Sequence, residues 1–410
     1  MHKNRTNYHH TVFVLLLTFL SWVNIISCSQ ADVSSPSSDN LTEEKSLQPR
    51  FVDVSEIHLP LSSLQGNSMD MEAADLDEDG DLDLVIANEY RPNIILINDG
   101  GGNFRDESVA RLPQKYFDSE DIAIADFSCD GHIDIIFVSE DNQVNEYYIN
   151  DGSGFFSDAA DRMIVTGTSN ATLAADIDED GDPDLLIGNA GQNRLLVNDG
   201  RGNFTDETSS RLPSIEDITQ DLELGDVDGD GDLDLLVGNE DQNRLLINKG
   251  KGFFEEKVGS LPLRSEREET REGDFGDIDG DGDLDVIFAN VDFQSSSSLL
   301  NRLLLNDGSG NFTDVSNQIP ASQFHTVDAD FADIDRDNDL DLLIGNAFGG
   351  GVEIWTNDGR GNFADETDQF IPSLPTIDVI DLELLSLNGN RFLYICAFKG
   401  ADKLLREEED

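Results

Sequence analysis

Six stretches of alternating aspartates begin at Asp75, Asp126, Asp176, Asp226, Asp277 and Asp333, at intervals of 51, 50, 50, 51 and 56 residues. A seventh, decayed copy starts at Ser386, a further 53 residues on. Between the acidic loops lie short apolar runs and Gly-rich turns rather than helical periodicity. A repeat of this length built from such pieces means stacked β units, each unable to bury its apolar faces alone.

One unit reads as four strands. "DLELG" enters a loop, "DLLVG" leaves it, "RLLVN" is a third strand, and an Asn-Asp-Gly turn leads into an outer strand such as "NFTDE". Seven such units give an all-β, seven-bladed β-propeller with four strands per blade, which shields its sheet edges by radial repetition. An open solenoid is the alternative, and the two ends argue for closure. "FVDVS" at residues 51–55 matches the outer-strand motif "NFTDVS", while the last unit stops after its third strand. The expectation is a propeller over residues 51–405, its last blade closed by the N-terminal strand, followed by an acidic tail at 406–410.

Charge narrows the function classes. The chain carries 85 Asp+Glu against 26 Lys+Arg, so a nucleic-acid partner is not expected, since phosphates need cations. A hydrophobic content of 38% in regular runs supplies a core and argues against disorder. At the N-terminus, Lys3 and Arg5 precede "TVFVLLLTFLSWVNII", an apolar run too short and sharply ended for a membrane span. It ends in Ile25, Ile26, Ser27 and Cys28, which resemble a bacterial lipobox. That resemblance implies a lipoprotein signal over 1–27, lipidation of Cys28, a polar tether over 28–50, and an exported protein of the cell envelope, at the outer membrane or cell surface. Membrane contact is then expected only through the lipid anchor. After removal of the signal only His58, His132 and His325 remain, too few and too scattered for a zinc helix or a Ser-His-Asp triad. Cys129 and Cys396 are expected to be buried free thiols rather than a disulfide.

The acidic loops carry the clearest chemistry. Counting from the first Asp, carboxylates fall at positions 1, 3, 5, 7 and 9, with Gly at the bend at position 6. These are Asp75, Asp77, Asp79, Asp81 and Asp83; Asp176, Asp178, Asp180, Asp182 and Asp184; and Asp226, Asp228, Asp230, Asp232 and Asp234. Two further loops hold Asp277, Asp279, Asp281, Asp283 and Asp285, and Asp333, Asp335, Asp337, Asp339 and Asp341, the last with Asn338 at the bend. Oxygen-only donors in a flexible loop suit calcium, whereas magnesium asks for fewer protein ligands and stricter geometry. An EF-hand is rejected, because its position 12 needs Glu and here holds Val237 in a strand. Without a cation, like charges this close cost about 1 kcal/mol per pair even in a watery dielectric.

The Asp-x-Asp-x-Asp-Gly-x-x-Asp loop between strands resembles the FG-GAP and VCBS-type repeats of integrin α-subunit propellers and of many secreted bacterial proteins. The Phe-Gly and Gly-Ala-Pro signatures are absent, so the VCBS-like branch is closer. The resemblance covers nearly all of the chain after residue 50. It implies structural calcium on the blade face opposite the usual ligand surface. About five ions are expected, with a weaker sixth site at Asp126, where Ser128 and His132 replace two acids. The seventh copy, with Ser386, Asn388 and Asn390, is expected to bind none.

Five positions before the loops stand Asp70, Asp121, Ala171, Asp221, Glu272, Asp328 and Asp381. The six acids are expected to form a ring at the mouth of the channel, suited to a cationic ligand or an extra metal. The loops on that face vary most: "EYRPN", "VDFQSSSSLLN" and "AFGGG". Tyr90, Phe293 and Phe348 are candidate contacts there, while Phe104, Phe204, Phe312 and Phe363 of the outer-strand motif are expected in the core. The reading that follows is a monomeric, calcium-stabilised binding or adhesion module for a protein or glycan. A propeller enzyme acting on polysaccharide and an envelope assembly scaffold are the alternatives. No catalytic residue can be nominated among 85 carboxylates.

Overall fold

The computed structural model describes residues 50–62, 64–140, 144–264, 268–291, 301–322 and 324–408. The expected signal at 1–27, Cys28, the tether to residue 49 and Phe293 lie outside the described residues. In the first unit Ser68–Ala74, Asp83–Arg91, Ile94–Asn98 and Phe104–Asp106 form an antiparallel meander, and this pattern recurs along the chain. The second strand of each meander is buried on both faces: Leu84, Val85, Ile86 and Ala87 have no exposed surface. This is why it reads as a continuous apolar run instead of an alternating one.

The strands form three four-stranded and two eight-stranded sheets. Each large sheet is two meanders joined where a second strand runs on to meet the next inner strand. The joins are Glu89↔Asp118 with Arg91↔Phe117, and Ala190↔Ile218 with Gly191↔Asp217. The first three residues of "EYRPN" are therefore strand, not loop: the inner strand beside them starts early, at Phe117, and offers a free edge.

The inner strands Ser68–Ala74, Phe117–Ala125, Ser169–Ala175, Asp217–Gly225, Thr270–Gly276, Thr326–Ala332 and Val379–Leu387 pack side by side in that order, and the last packs against the first. The core lies between neighbouring meanders. Leu173, Leu186 and Leu195 mesh with Leu222, Leu235 and Val237, and Met71, Leu84 and Leu96 mesh with Leu385, Phe392 and Leu404. The second of these clusters joins the two ends of the series. Asp402, fully buried, adds a polar tie by accepting Ser68 Oγ–H at 2.8 Å, Tyr394 O–H at 2.9 Å and Ala397 N–H at 3.0 Å.

Closure comes from the N-terminus. Phe51–Asp53 pairs antiparallel with Lys403–Glu407, through Phe51↔Glu407, Val52↔Arg406 and Asp53↔Leu405. Arg406 and Glu407 therefore belong to the last sheet, and the boundary expected at 405 moves two residues on. The match of "FVDVS" to the other outer strands extends to their hydrogen bonds. Ser108 Oγ accepts Ile95 N–H and Thr208 Oγ1 accepts Leu195 N–H from the third strand of their own units, at 3.0 and 3.1 Å. Ser55 Oγ does the same for Leu404 N–H at 2.9 Å, although 349 residues separate the pair. Phe51 is 1% exposed. Its replacement by Ala should cost about 3–5 kcal/mol by opening a cavity at the seam, read as a lower midpoint in urea.

Candidate metal centres

Each acidic loop hangs between an inner strand and a second strand, folded by its own carboxylates. In the fourth, Asp226 Oδ1 accepts Gly229 N–H at 2.8 Å and Asp230 N–H at 3.1 Å, while its Oδ2 accepts Gly231 N–H at 3.0 Å. Gly231 takes φ +96°, and in the sixth loop Asn338 fills the same bend at +75°, as its tolerance of left-handed backbone predicts. Position 9 is the anchor. Buried Asp234 accepts Val227 N–H at 3.2 Å through Oδ2 and Asn248 N–H at 2.8 Å through Oδ1, tying the loop to the third strand.

The inner ends of these loops gather carboxylate oxygens within 4.8 Å of one another, as in Asp75, Asp77 and Asp83, in Asp176, Asp178 and Asp184, and in Asp226, Asp228 and Asp230. Among the described residues, several buried oxygens of these loops have no donor. They are Oδ1 of Asp77, Asp178, Asp228 and Asp279 at position 3, and Oδ1 of Asp75 and Asp333 at position 1. A buried acceptor without a partner is costly, and a hard cation at the centre of the loop would satisfy each of them. The residues present therefore fit a metal ion. Asp79, Asp81, Asp180, Asp182, Asp230, Asp232, Asp281, Asp283, Asp335, Asp337 and Asp339 complete the oxygen-rich rims, with Asp277, Asp285 and Asp341 in the places of Asp226 and Asp234.

Burial sets the protonation of the anchors. It pushes Asp83, Asp184 and Asp285 up to about 7, and Asp134, Asp234 and Asp341 up to about 6, against backbone hydrogen bonds that lower them. The loop at Asp126 keeps the same fold: Asp126 accepts Asp130 N–H at 3.0 Å and Gly131 N–H at 2.8 Å, and Ser128 Oγ sits buried without a partner at position 3. His132 turns away to pair with Glu78 of the preceding loop. Cys129, expected to be buried, is exposed, because position 4 of the loop faces outward; Cys396 is buried, and both are free thiols. In the seventh copy a tight turn at Asn388 and Gly389 replaces the loop, with Ser386 and Asn390 in the flanking strands.

Two kinds of residue escaped the sequence reading. The Asn of the Asn-Asp-Gly turn is a hub as well as a turn former. Asn198 donates its backbone N–H to Asp184 at 2.9 Å, accepts Gly202 N–H at 3.1 Å, and reaches Phe127 O of the preceding loop at 2.8 Å. Arg111 and Arg211 brace position 3: their guanidiniums reach Asp77 at 3.2 Å and Asp178 at 3.0 Å, while Glu107 and Glu207 hold them from behind. The repeated "RLP" at 111–113 and 211–213 was the available signal.

The six ring acids lie in one register, but they are at most 4% exposed. They face the next inner strand rather than an open mouth. Asp70 accepts Ile122 N–H, Asp121 accepts Thr172 N–H and Glu272 accepts Ala329 N–H, each at 2.8 Å. Asp221 accepts Gly273 N–H at 2.7 Å, and Asp381 accepts Met71 N–H across the seam at 3.2 Å. Asp328 is buried in the same position. Edge amides lining the axis are thus capped by carboxylates of the neighbouring unit. Phe104, Phe312 and Phe363 are buried, as expected, whereas Phe204 is half-buried and packs against the core from its edge.

The family model of the FG-GAP-like repeat matches residues 75–137, 126–187, 176–237, 226–288 and 277–344. No curated protein sequence matches the chain. Among solved structures, the chain is similar to YCF48 bound to D1 peptide, with 12% identity and a TM-score of 0.56 over 88% of this chain and 96% of that one. It is also similar to BBS1N in complex with ARL6DN, with 12% identity and a TM-score of 0.54 over 88% of this chain and 98% of that one. An Agrocybe aegerita lectin that recognises non-reducing terminal N-acetylglucosamine aligns at 18% identity and a TM-score of 0.48, over 75% and 82%. At these identities the likeness concerns the fold.

The raised anchors predict a pH dependence. Between their ordinary 3.8 and about 7 the metal-free fold binds more protons at these sites than the unfolded chain does. Their contribution to metal-free stability is therefore full at the acid end and lost as pH rises through about 6 to 7. A cation must displace those protons, so its affinity should run the other way and fall on acidification. Melting with and without a divalent cation should show greater protection above that window than below it; equal protection on both sides would contradict the assignment.

Proposed function

Because the chain belongs to the FG-GAP-like repeat family and folds as a β-propeller, we propose that it is an exported, calcium-stabilised binding module that captures a protein or glycan on the face opposite its acidic loops. Seven blades are part of this reading, supported by the closed succession of inner strands and by the N-terminal strand completing the last sheet. Calcium is favoured over other cations by the all-oxygen donors, their number and the flexible loop. The expected affinity is in the extracellular range of about 10⁻⁴ to 10⁻³ M or tighter.

One observation carries the choice of face. The strand ends away from the loops display exposed aromatics: Tyr90 at 51%, Tyr116 at 71% and Phe348 at 59%. Tyr90 and Phe348 are held at φ +57° and +53°. Bulky side chains rarely adopt that backbone, and such strain gathers at functional sites. The pairing of Arg91 with Phe117 brings Tyr90 and Tyr116 to one sheet junction. Propellers of this fold hold a D1 peptide in one case and ARL6DN in another, uses that a rigid ring with adaptable loops permits. Cys28, in its lipobox-like setting, would tether the module to the envelope by a lipid, and a monomer suffices for this role.

Calcium at about a hundred times its Kd should add about 2.7 kcal/mol per occupied site, so chelator should lower the melting temperature sharply; equal melting in chelator and in millimolar calcium would refute the metal assignment. The double variant Tyr90→Ala, Phe348→Ala should lose its ligand on glycan arrays and in peptide-binding assays while melting as the parent does. Retained binding would move the site elsewhere. Cys28→Ala should release the protein from the membrane fraction.

A further inference from the structure

On the inner strands of the fifth and sixth repeats, well away from the acidic loops, three carboxylates meet near the axis of the ring. Glu272 lies on Thr270–Gly276, and Asp328 and Asp330 lie on Thr326–Ala332. One oxygen from each lies within 4.8 Å of the other two. The three residues are 1%, 1% and 5% exposed. Asp274, two residues beyond Glu272, accepts Phe331 N–H at 2.7 Å through Oδ2. That leaves Oδ1 of Asp274 and Oδ1 of Asp330 buried with no donor. Arg271, the adjacent cation on the strand, turns to Glu269 and Gln220 at 2.6 Å. Both of these partners lie outside the three-carboxylate cluster.

Burial, and then the neighbouring carboxylates, drive Glu272, Asp274 and Asp330 well above the usual carboxylate range. Such a group either keeps protons or takes a cation. We propose that Glu272, Asp328 and Asp330 bind one calcium ion in the wall of the axis between the fifth and sixth repeats. Calcium accepts an irregular shell of carboxylate oxygens, whereas magnesium holds to octahedral geometry and keeps several waters. A donor set without nitrogen or sulfur does not select zinc or copper. The ion would satisfy the orphaned Asp330 oxygen and add a polar tie between two inner strands.

The test counts ions in the full folded chain. Protein freed of metal and equilibrated with millimolar calcium is assayed for calcium per chain as wild type, Asp330→Asn and Glu272→Gln. Gln keeps an oxygen for Ala329 N–H, so a folding defect in one variant does not end the test. Each variant should lose one calcium per chain, and anomalous maps of wild-type crystals grown in calcium should show a peak among the three carboxylates. Unchanged calcium in both variants, with no peak there, overturns the site and leaves shared protons as its explanation. A peak here with empty loops would refute the calcium assignment of the loops while sustaining this one; filled loops with no peak here would do the reverse.

Discussion

The fold depends on a carboxylate that must be buried to hold its loop. The aspartate at position 9 receives two backbone N–H groups, one from its own loop and one from the third strand, as Asp234 does from Val227 and Asn248. No neutral side chain of that size accepts both so well, and without the acid two amides would be left bare in the interior. Burying it places negative charge beside the acids at positions 1 and 3. The charge that organises the turn is therefore the charge that a bound cation would offset.

The same economy recurs between units. A meander alone offers an inner strand whose axis-facing amides have no strand to pair with. The neighbour supplies carboxylates for them, as Glu272 and Asp274 do for Ala329 and Phe331. On the loop side the neighbour supplies the Asn side chain, as Asn357 does by reaching Ile278 O at 2.8 Å. Apolar packing between the sheets fills the space between these two polar seams. Each repeat is thus completed at both ends by the next, which explains why one period writes so much of the chain.

What the sequence made legible follows from the range of the interactions. Loop positions, the bend at Gly231 and its Asn338 substitute are local, and spacing alone located them. The outer-strand role of "FVDVS" was legible because the motif repeats with its Ser. The acids five residues before the loops were visible as a register, but their work was not: Asp70 serves an amide of Ile122, 52 residues away on another strand. The companion acids Glu72, Glu223, Asp274, Asp330 and Glu383, two residues further on, follow from the period of a strand and were overlooked. Arg111 and Arg211 looked like ordinary surface cations until folding set them against Asp77 and Asp178. Cys129 was misplaced because a cysteine inside an acidic turn is positioned by the turn, not by its own preference for the interior.

The pairing of Phe51–Asp53 with Lys403–Glu407 also sets an order of events for a chain that emerges N-terminus first. The first strand to be made is the last to find its place, since its partner lies some 350 positions downstream. Every intervening meander pairs with what has just been synthesised, so local assembly runs ahead of ring closure. Until the final strand emerges, the growing chain is an open arc with one ragged rim at its leading end, and the seam there is where a folding helper or a protease would meet it.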